Sequence, residues 1–346
     1  MEQIKLEKSC GAVVYKIEDN TIFFLIEKMK RGHYSIPKGH VEDNETEIET
    51  ALREIKEETN LDVEIDDNFR EVVSYSPYEG CMKDVVFFVS EAVTTDMREQ
   101  KEEVSKILLL TKDEANLVLT YESDKNIINK AYDYIKTKKE KDGFVFIKKG
   151  SKVLFQGDSV TDNHRDRSDE NSLGGSHAKM VYDAIKKFDI KVVNKGISGN
   201  KVNDLLNRFD NDFKNVNPDY MFLLIGVNDT WHGYPDCKKT DVFKEEYELL
   251  INRINNEMNC ELILMEPFIL GYDENYTVMR KDLYEKIFVI RDLAYKYKLK
   301  YISFENEFAE KFIFNDVYEY TIEGIHPLKK GYELMTKKIL SKIIIE

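Results

Sequence analysis

The chain has 346 residues, which is room for two domains, and its 42% hydrophobic and 12% aromatic content is ample for two cores. Only 6 prolines and a mean hydropathy of -0.49 argue against long disordered linkers and membrane spans, and the longest apolar run, Tyr220 to Val227, is too short to cross a bilayer. A net charge of -14 speaks against an extended nucleic-acid surface, because phosphate binding needs basic patches, although carboxylates gathered around a divalent cation can still hold an anionic substrate.

The opening "MEQIKLEKSC" is charged and lacks the apolar stretch of a signal peptide. Cys10, Cys81, Cys237 and Cys260 are scattered and form no CxxC pair, so neither zinc nor dithiol chemistry is indicated. A reduced cytoplasmic location, with no membrane partner, is the expectation.

In chain order, "GAVVYKI", "TIFFLIE" and "KDVVFFVSEAV" read as short strands around one central helix, which suggests an α+β unit with a mixed sheet between helices. On that helix, Ile48, Ala51, Leu52 and Ile55 follow helical apolar spacing and are expected to form its buried stripe. Glu47, Glu54, Glu57 and Glu58 then fall on a flanking arc. Like charges at such spacing repel by roughly 0.2–0.5 kcal/mol per pair. Read plainly, the arc is a solvated face with pairs such as Glu49–Arg53. A hard divalent cation would turn the repulsion into attraction.

The order Gly39, five residues, Glu45, seven residues, then Arg53-Glu54-Ile55-Lys56-Glu57-Glu58 resembles the Nudix box. The resemblance implies a Nudix hydrolase, cleaving nucleoside diphosphate derivatives by magnesium- or manganese-assisted attack of water. Glu54, Glu57 and Glu58 would hold the metal, Glu57 would also serve catalysis, and Gly39, Glu45 and Arg53 would support the cluster. The box normally ends in Gly where this chain has Asn60, which still tolerates left-handed backbone. "SIPKGHVE" and "YSPYEG" resemble the asymmetric diadenosine tetraphosphatase branch, which implies a nucleotide substrate met by Tyr34, Tyr78, Lys38 and Lys83. Tyr34 stands where that branch has Trp, and Tyr75 or Tyr78 can equally be read as core aromatics. Glu102 and Glu103 occupy the region where family members keep another metal or base carboxylate, or are plain surface.

Helical periodicity continues through residues 112–135 and dissolves in the Lys-rich stretch Lys136 to Asp142, which places the domain boundary there, with domains 1–142 and 143–346. Beyond it, "KVLFQ", "KVVNK", "YMFLLIG", "LILMEPF" and "KYISF" alternate with amphipathic helices, the signature of an α/β unit with a parallel sheet and helices on both faces. "FQGDSVTD" puts Ser159 where a strand turns into a loop. Alone this is an ordinary turn. Together with Gly199 in "NKGISGN", Asn228 in "IGVNDTW" and His326 in "EGIHP", it resembles the four blocks of the SGNH (GDSL-type) esterases. The resemblance implies Ser159 as nucleophile, His326 as base and an oxyanion hole from Ser159, Gly199 and Asn228, with no cofactor. Asp229 and Trp231 read as structural or rim residues. Glu323 stands where the family has Asp, three residues before the His. "VVNKGISGN", "NDTW" and "LMEPF" look most like the acetylxylan esterase group, which implies a small acyl ester of a carbohydrate-like alcohol. The expected protein is thus a bifunctional hydrolase of small molecules; the alternative is an esterase governed by a nucleotide-sensing, non-catalytic Nudix module. Oligomeric state stays open.

Overall fold

The computed structural model describes residues 4–100, 102–271 and 274–346. The chain divides into two compact units, Met1–Asp142 and Gly143–Glu346. Among the described residues no helix is long and apolar enough to cross a membrane.

The first unit runs β1 (Lys5–Glu18), β2 (Thr21–Met29), β3 (Tyr34–Ser35), β4 (Lys38–His40), α1 (Glu47–Thr59), β5 (Val63–Tyr75), β6 (Cys81–Ala92), β7 (Val104–Leu110), α2 (Lys112–Val118) and α3 (Glu122–Lys141). Its sheet is mixed: β1 pairs with β6 in parallel, and the other pairings are antiparallel. Alternating side chains from β1, β2 and β6, among them Ala12, Val14, Leu25, Val86 and Phe88, pack with Ala51 and Ile55 of α1. On the opposite face, Phe24 meets Tyr132 and Phe69 meets Tyr134 of α3.

α1 starts with a capping box, Thr46 and Glu49 bonding each other's backbone N–H, and stops at Asn60, whose φ of 62° is left-handed. The buried stripe differs from the one the spacing predicts. Ala51, Ile55, Glu58 and Thr59 are buried, whereas Leu52 is 38% exposed. The stripe continues along Ala51, Ile55 and Glu58, so a carboxylate is drawn into the interior. Glu49 serves the cap, and Arg53 pairs elsewhere. Glu47 lies apart from the other box glutamates, held by Lys8 and Arg70. The Lys-rich stretch does not end the helix either: α3 runs to Lys141, with Lys138 bonded to Asp66 and Lys139 to Glu91.

The second unit contains β8 (Val145–Ile147), β9 (Lys152–Gly157), α4 (Ser159–Asp162), α5 (His177–Ile185), β10 (Lys191–Asn194), α6 (Val202–Asn207), β11 (Tyr220–Leu224), α7 (Val227–Trp231), α8 (Thr240–Glu257), β12 (Glu261–Met265), α9 (Glu274–Tyr297), β13 (Lys300–Ile302), α10 (Glu305–Phe312), α11 (Lys329–Leu340) and β14 (Ile343–Ile345). The order β10-β9-β11-β12-β13 is parallel throughout. β8 and β14 form a separate parallel pair. Period-2 alternation feeds two cores. Val153, Phe155 and Phe222 pack with α5 and α11 on one face; Leu154, Met221 and Leu223 pack with α6, α8 and α9 on the other. β10 and β11 flank β9 on opposite sides, so the chain reverses direction across the sheet at β9. In such sheets the crevice beyond the strand C-termini at that reversal is where ligands bind.

Candidate active sites

In the first unit, the carboxylates of α1 face the β4 segment. A Cβ on Gly39 would lie 1.9–2.1 Å from the carboxylate atoms of Glu54, so only glycine lets that side chain lie against the strand. Glu58 is 4% exposed, and its Oε2 accepts from the Lys38 backbone N–H at 3.2 Å. Arg53 grips Glu45 with two parallel hydrogen bonds of 2.6 and 2.9 Å, and reaches Glu54 at 2.7 Å, Glu57 at 3.4 Å and the His40 carbonyl at 3.0 Å. Arg53 thereby holds Glu45 near about 2, well below its usual range.

The electrostatics of the cluster are strained. Burial, then the neighbouring Glu54, pushes Glu58 up to about 8. Burial also raises Glu54 against the opposing pull of Arg53, with Glu57 and Glu103 adding repulsion. Among the described residues no three His, Cys, Asp or Glu side chains already stand as a ready metal cage. The donor set nevertheless fits magnesium or manganese: it is all oxygen, it carries excess negative charge, and glycine has cleared the space beside it.

The remaining first-unit expectations divide. Lys38 sits beside the cluster, its ammonium bonded to the Ser35 hydroxyl and, at 3.3 Å, to the Ile36 carbonyl. Glu103, although exposed, is close enough to act on Glu54 and Glu58; Glu102 is exposed as well and is not among the charges acting on that pair. Lys83 lies 3.2 Å from His40, next to the box. Tyr34 is half-buried, with Lys28 over its ring at 5.6 Å. Tyr78 is 52% exposed and its hydroxyl bonds Glu7, so it is not a core aromatic.

In the second unit, four strand and loop ends converge. Ser159 follows β9, Gly199 follows β10, Asn228 follows β11, and His326 precedes α11. Ser159 Oγ lies 2.8 Å from His326 Nε2, and His326 Nδ1 bonds Glu323 Oε1. The Glu323 loop is pinned by a bridge between Thr321 and Pro327 and by the Ile322 N–H donating to the His326 carbonyl at 2.9 Å. Glu323 is thus folded back to the imidazole within one turn, which accommodates its extra methylene. Gly199 has a φ of +83°, a backbone state that favours glycine. Asn228 is fully buried and donates from Nδ2 to the Asn200 carbonyl at 3.0 Å; an amide nitrogen has a second hydrogen for a ligand.

Several residues that shape this site are not marked by the sequence pattern. Asp162, 3% exposed, accepts from the Ser198 N–H at 2.9 Å and hydroxyl at 2.8 Å, and so ties the nucleophile's helical turn to the Gly199 loop. Half-buried Arg208 bonds Gln156, the Lys195 carbonyl and Asn200 at 2.8–2.9 Å, joining the ends of β9 and β10. Trp231 stands edge-on to His326 at 5.3 Å and forms a wall of the site, whereas Asp229 is buried in an ion pair with Lys238 at 2.6 Å. Asp158 caps the turn through the Val160 N–H at 3.0 Å, and burial raises it to about 7. Only an acidic residue three positions after Ser159, about one helical turn on, hinted at Asp162 in the sequence.

A GDSL-like Lipase/Acylhydrolase family model matches residues 155–334, and a NUDIX domain model matches residues 6–131. An acetylxylan esterase of Geobacillus stearothermophilus is 30% identical over 212 residues, covering 57% of this chain and 95% of the relative. An asymmetrical bis(5'-nucleosyl)-tetraphosphatase of Sus scrofa is 27% identical over 140 residues, covering 37% of this chain and 95% of the relative. A crystal structure of an acetylxylan esterase from Geobacillus stearothermophilus superposes with a TM-score of 0.53 at 27% identity, covering 58% of this chain and 97% of that one. Catalytic mutants of that enzyme alter a Ser, an Asp and a His, the Asp standing three residues before the His. The chain therefore belongs to the GDSL-like lipase/acylhydrolase family and carries a NUDIX domain before it in sequence, so that both of its halves come from hydrolase families.

Proposed function

We propose that both domains turn over small molecules: the first cleaves a nucleoside polyphosphate, with a dinucleoside tetraphosphate as the favoured substrate, and the second hydrolyses a small acyl ester, favouring acetyl, of a carbohydrate-like alcohol. The observation that carries this reading is that each unit holds its own complete set of chemical groups, one of carboxylates and one of hydrogen-bonded Ser159, His326 and Glu323. The net charge of -14 favours small substrates over nucleic acid. A cytoplasmic setting suits both chemistries.

In the esterase domain, His326 Nε2 takes the Ser159 proton as Oγ attacks the acyl carbon, then returns it to the leaving alcohol. Glu323 holds Nδ1–H, fixing the tautomer and offsetting the imidazolium charge. The developing oxyanion is met by the backbone N–H groups of Ser159 and Gly199 and the Asn228 amide; one such donor is typically worth about 2.7–4 kcal/mol. In the Nudix domain, Glu54, Glu57 and Glu58 would hold a magnesium or manganese ion, Glu103 would flank them, and half-exposed Glu57 would be the carboxylate open to an attacking water. The chemistry a divalent cation supplies there is charge neutralisation on the phosphates and Lewis-acid activation of that water. Arg53 keeps Glu54 and Glu57 on one side of the helix. Lys38 and Lys83 meet phosphate, and Tyr34 and Tyr78 offer rings to the base.

The test is turnover of diadenosine tetraphosphate and of a small acetyl ester by the purified protein, with and without magnesium. The reading expects both reactions, only the first requiring the ion. Ester hydrolysis without phosphoanhydride cleavage would leave the first domain as a nucleotide-sensing module.

A further inference from the structure

Glu27 belongs to none of the motifs, yet it is 1% exposed in the interior of the first unit. In β2 its neighbour two residues back, Leu25, packs on the α1 face of the sheet, so strand alternation puts Glu27 on that face as well. It lies between Ser35 of β3 and Ile107 of β7, away from any strand edge. Its Oε1 has no hydrogen-bond partner. The charges it faces are Glu58, Lys38 and Glu54. The only cation of the three, Lys38, already spends its ammonium on Ser35 and Ile36.

A buried carboxylate with an unpartnered oxygen, set against Glu58 and Glu54, costs several kcal/mol unless a proton or a metal cation neutralises it. A purely structural polar contact to Glu58 would need only an amide, which donates a hydrogen bond and carries no charge. A carboxylate in this place is useful to a cation. Its position on the α1 face, two residues beyond Leu25, sets it on the sheet side of the cluster.

We propose that Glu27 is a further ligand of the divalent cation, closing the site from the sheet side while Glu54 and Glu58 approach it from α1. This rests on the reading of the first domain as a metal site. It adds to that reading a donor outside the box, supplied by the opposite layer of the fold.

The experiment uses the full chain stripped of metal, with Mn²⁺ as the probe: free Mn²⁺ is followed by electron paramagnetic resonance, and melting of the same samples is recorded in EDTA and in excess Mn²⁺. Residues that merely support a metal ligand are worth about 10–100-fold in affinity, so Glu27→Gln should weaken Mn²⁺ binding at least about tenfold. The same variant should melt higher than the wild type in EDTA, because one buried charge is gone, and gain less from Mn²⁺. Glu27→Met, similar in length and unable to bond Glu58, should repeat both effects. Mn²⁺ binding at wild-type affinity by either folded variant overturns the assignment of Glu27 alone. If the wild type itself binds no Mn²⁺, the metal-site reading falls, and the two failures are thereby told apart.

Discussion

The two units hold opposite kinds of active site. In the esterase unit the nucleophile and its base have their partners within the protein: Ser159 bonds His326, His326 bonds Glu323, and the Glu323 loop is stitched by its own backbone. In the Nudix unit the participating groups repel one another, with Glu58 raised to about 8 and Glu54 raised beside it, mainly through burial. The difference teaches what each chemistry requires. A nucleophile and its base must be preorganised before substrate arrives. A metal site is an excess of one charge that stays unfavourable until the ion is bound.

The sharpest way to break this contrast is to remove one activity at a time. EDTA should abolish dinucleoside tetraphosphate cleavage while acetyl-ester hydrolysis keeps its rate; an esterase that also needs added magnesium would erase the distinction. Conversely, Ser159→Ala should lower ester kcat by at least about 10³-fold and leave the phosphoanhydride reaction intact, as loss of a triad nucleophile costs about 10⁶ in a serine protease.

A second test moves the Glu54 carboxylate without changing its charge. Gly39→Ala places a methyl group where the Glu54 carboxylate lies, at 1.9–2.1 Å. Misplacement by about 1 Å typically costs about 10²-fold, so phosphoanhydride kcat should fall by about that factor, together with weaker Mn²⁺ binding. Unchanged cleavage would mean that Glu54 is free to work from another position.

The next expected effect is smaller and belongs to the preorganised site. Glu323→Gln should lower kcat for an acetyl ester by at least about tenfold with KM little changed, since the carboxylate acts mainly in the transition state. Glu323→Asp should retain measurable turnover. Near-wild-type kcat for the amide would reduce the site to a Ser–His pair.

The smallest effect concerns stability rather than turnover. His177 is fully buried between Phe155 and Tyr332, with both ring nitrogens lacking a hydrogen-bond partner, and burial lowers it to about 3 from 6.5. The unfolded chain binds this proton below pH 6.5, whereas the folded chain does not until about 3, so its contribution to stability is lost as pH falls through that window. Asp158 works in the other direction, losing stability as pH rises from 3.8 through about 7, so the comparison must be with the wild type at each pH. His177→Phe should melt progressively higher relative to wild type between pH 7 and pH 4, by roughly a few degrees. A difference that does not vary with pH would count against a neutral buried imidazole.

Much of this molecule is written locally in its sequence. The Nudix spacing from Gly39 to Glu58, the four esterase blocks around Ser159, Gly199, Asn228 and His326, and the alternation of strands and helices depend on residues a few positions apart or on motifs of fixed content. The same holds for the Asn60 stop and for Glu323, whose reach to His326 is set by a three-residue loop. What only the tertiary structure decided was which side chains lose their water. Helical spacing pointed to Leu52 as core and left Glu58 on the rim; packing against the sheet reversed them. Helical periodicity dissolves in the Lys-rich end of α3 when the sequence is read alone; Asp66 and Glu91, distant in sequence, give its lysines partners and the helix continues. Glu27, the last residue of "TIFFLIE", is buried because β3 and β7 flank it in the sheet, which its own neighbours in the chain do not reveal. Burial is a property of every element that covers a residue, and the charge state of a carboxylate follows burial, so neither is fixed by the residue's own neighbours in the chain.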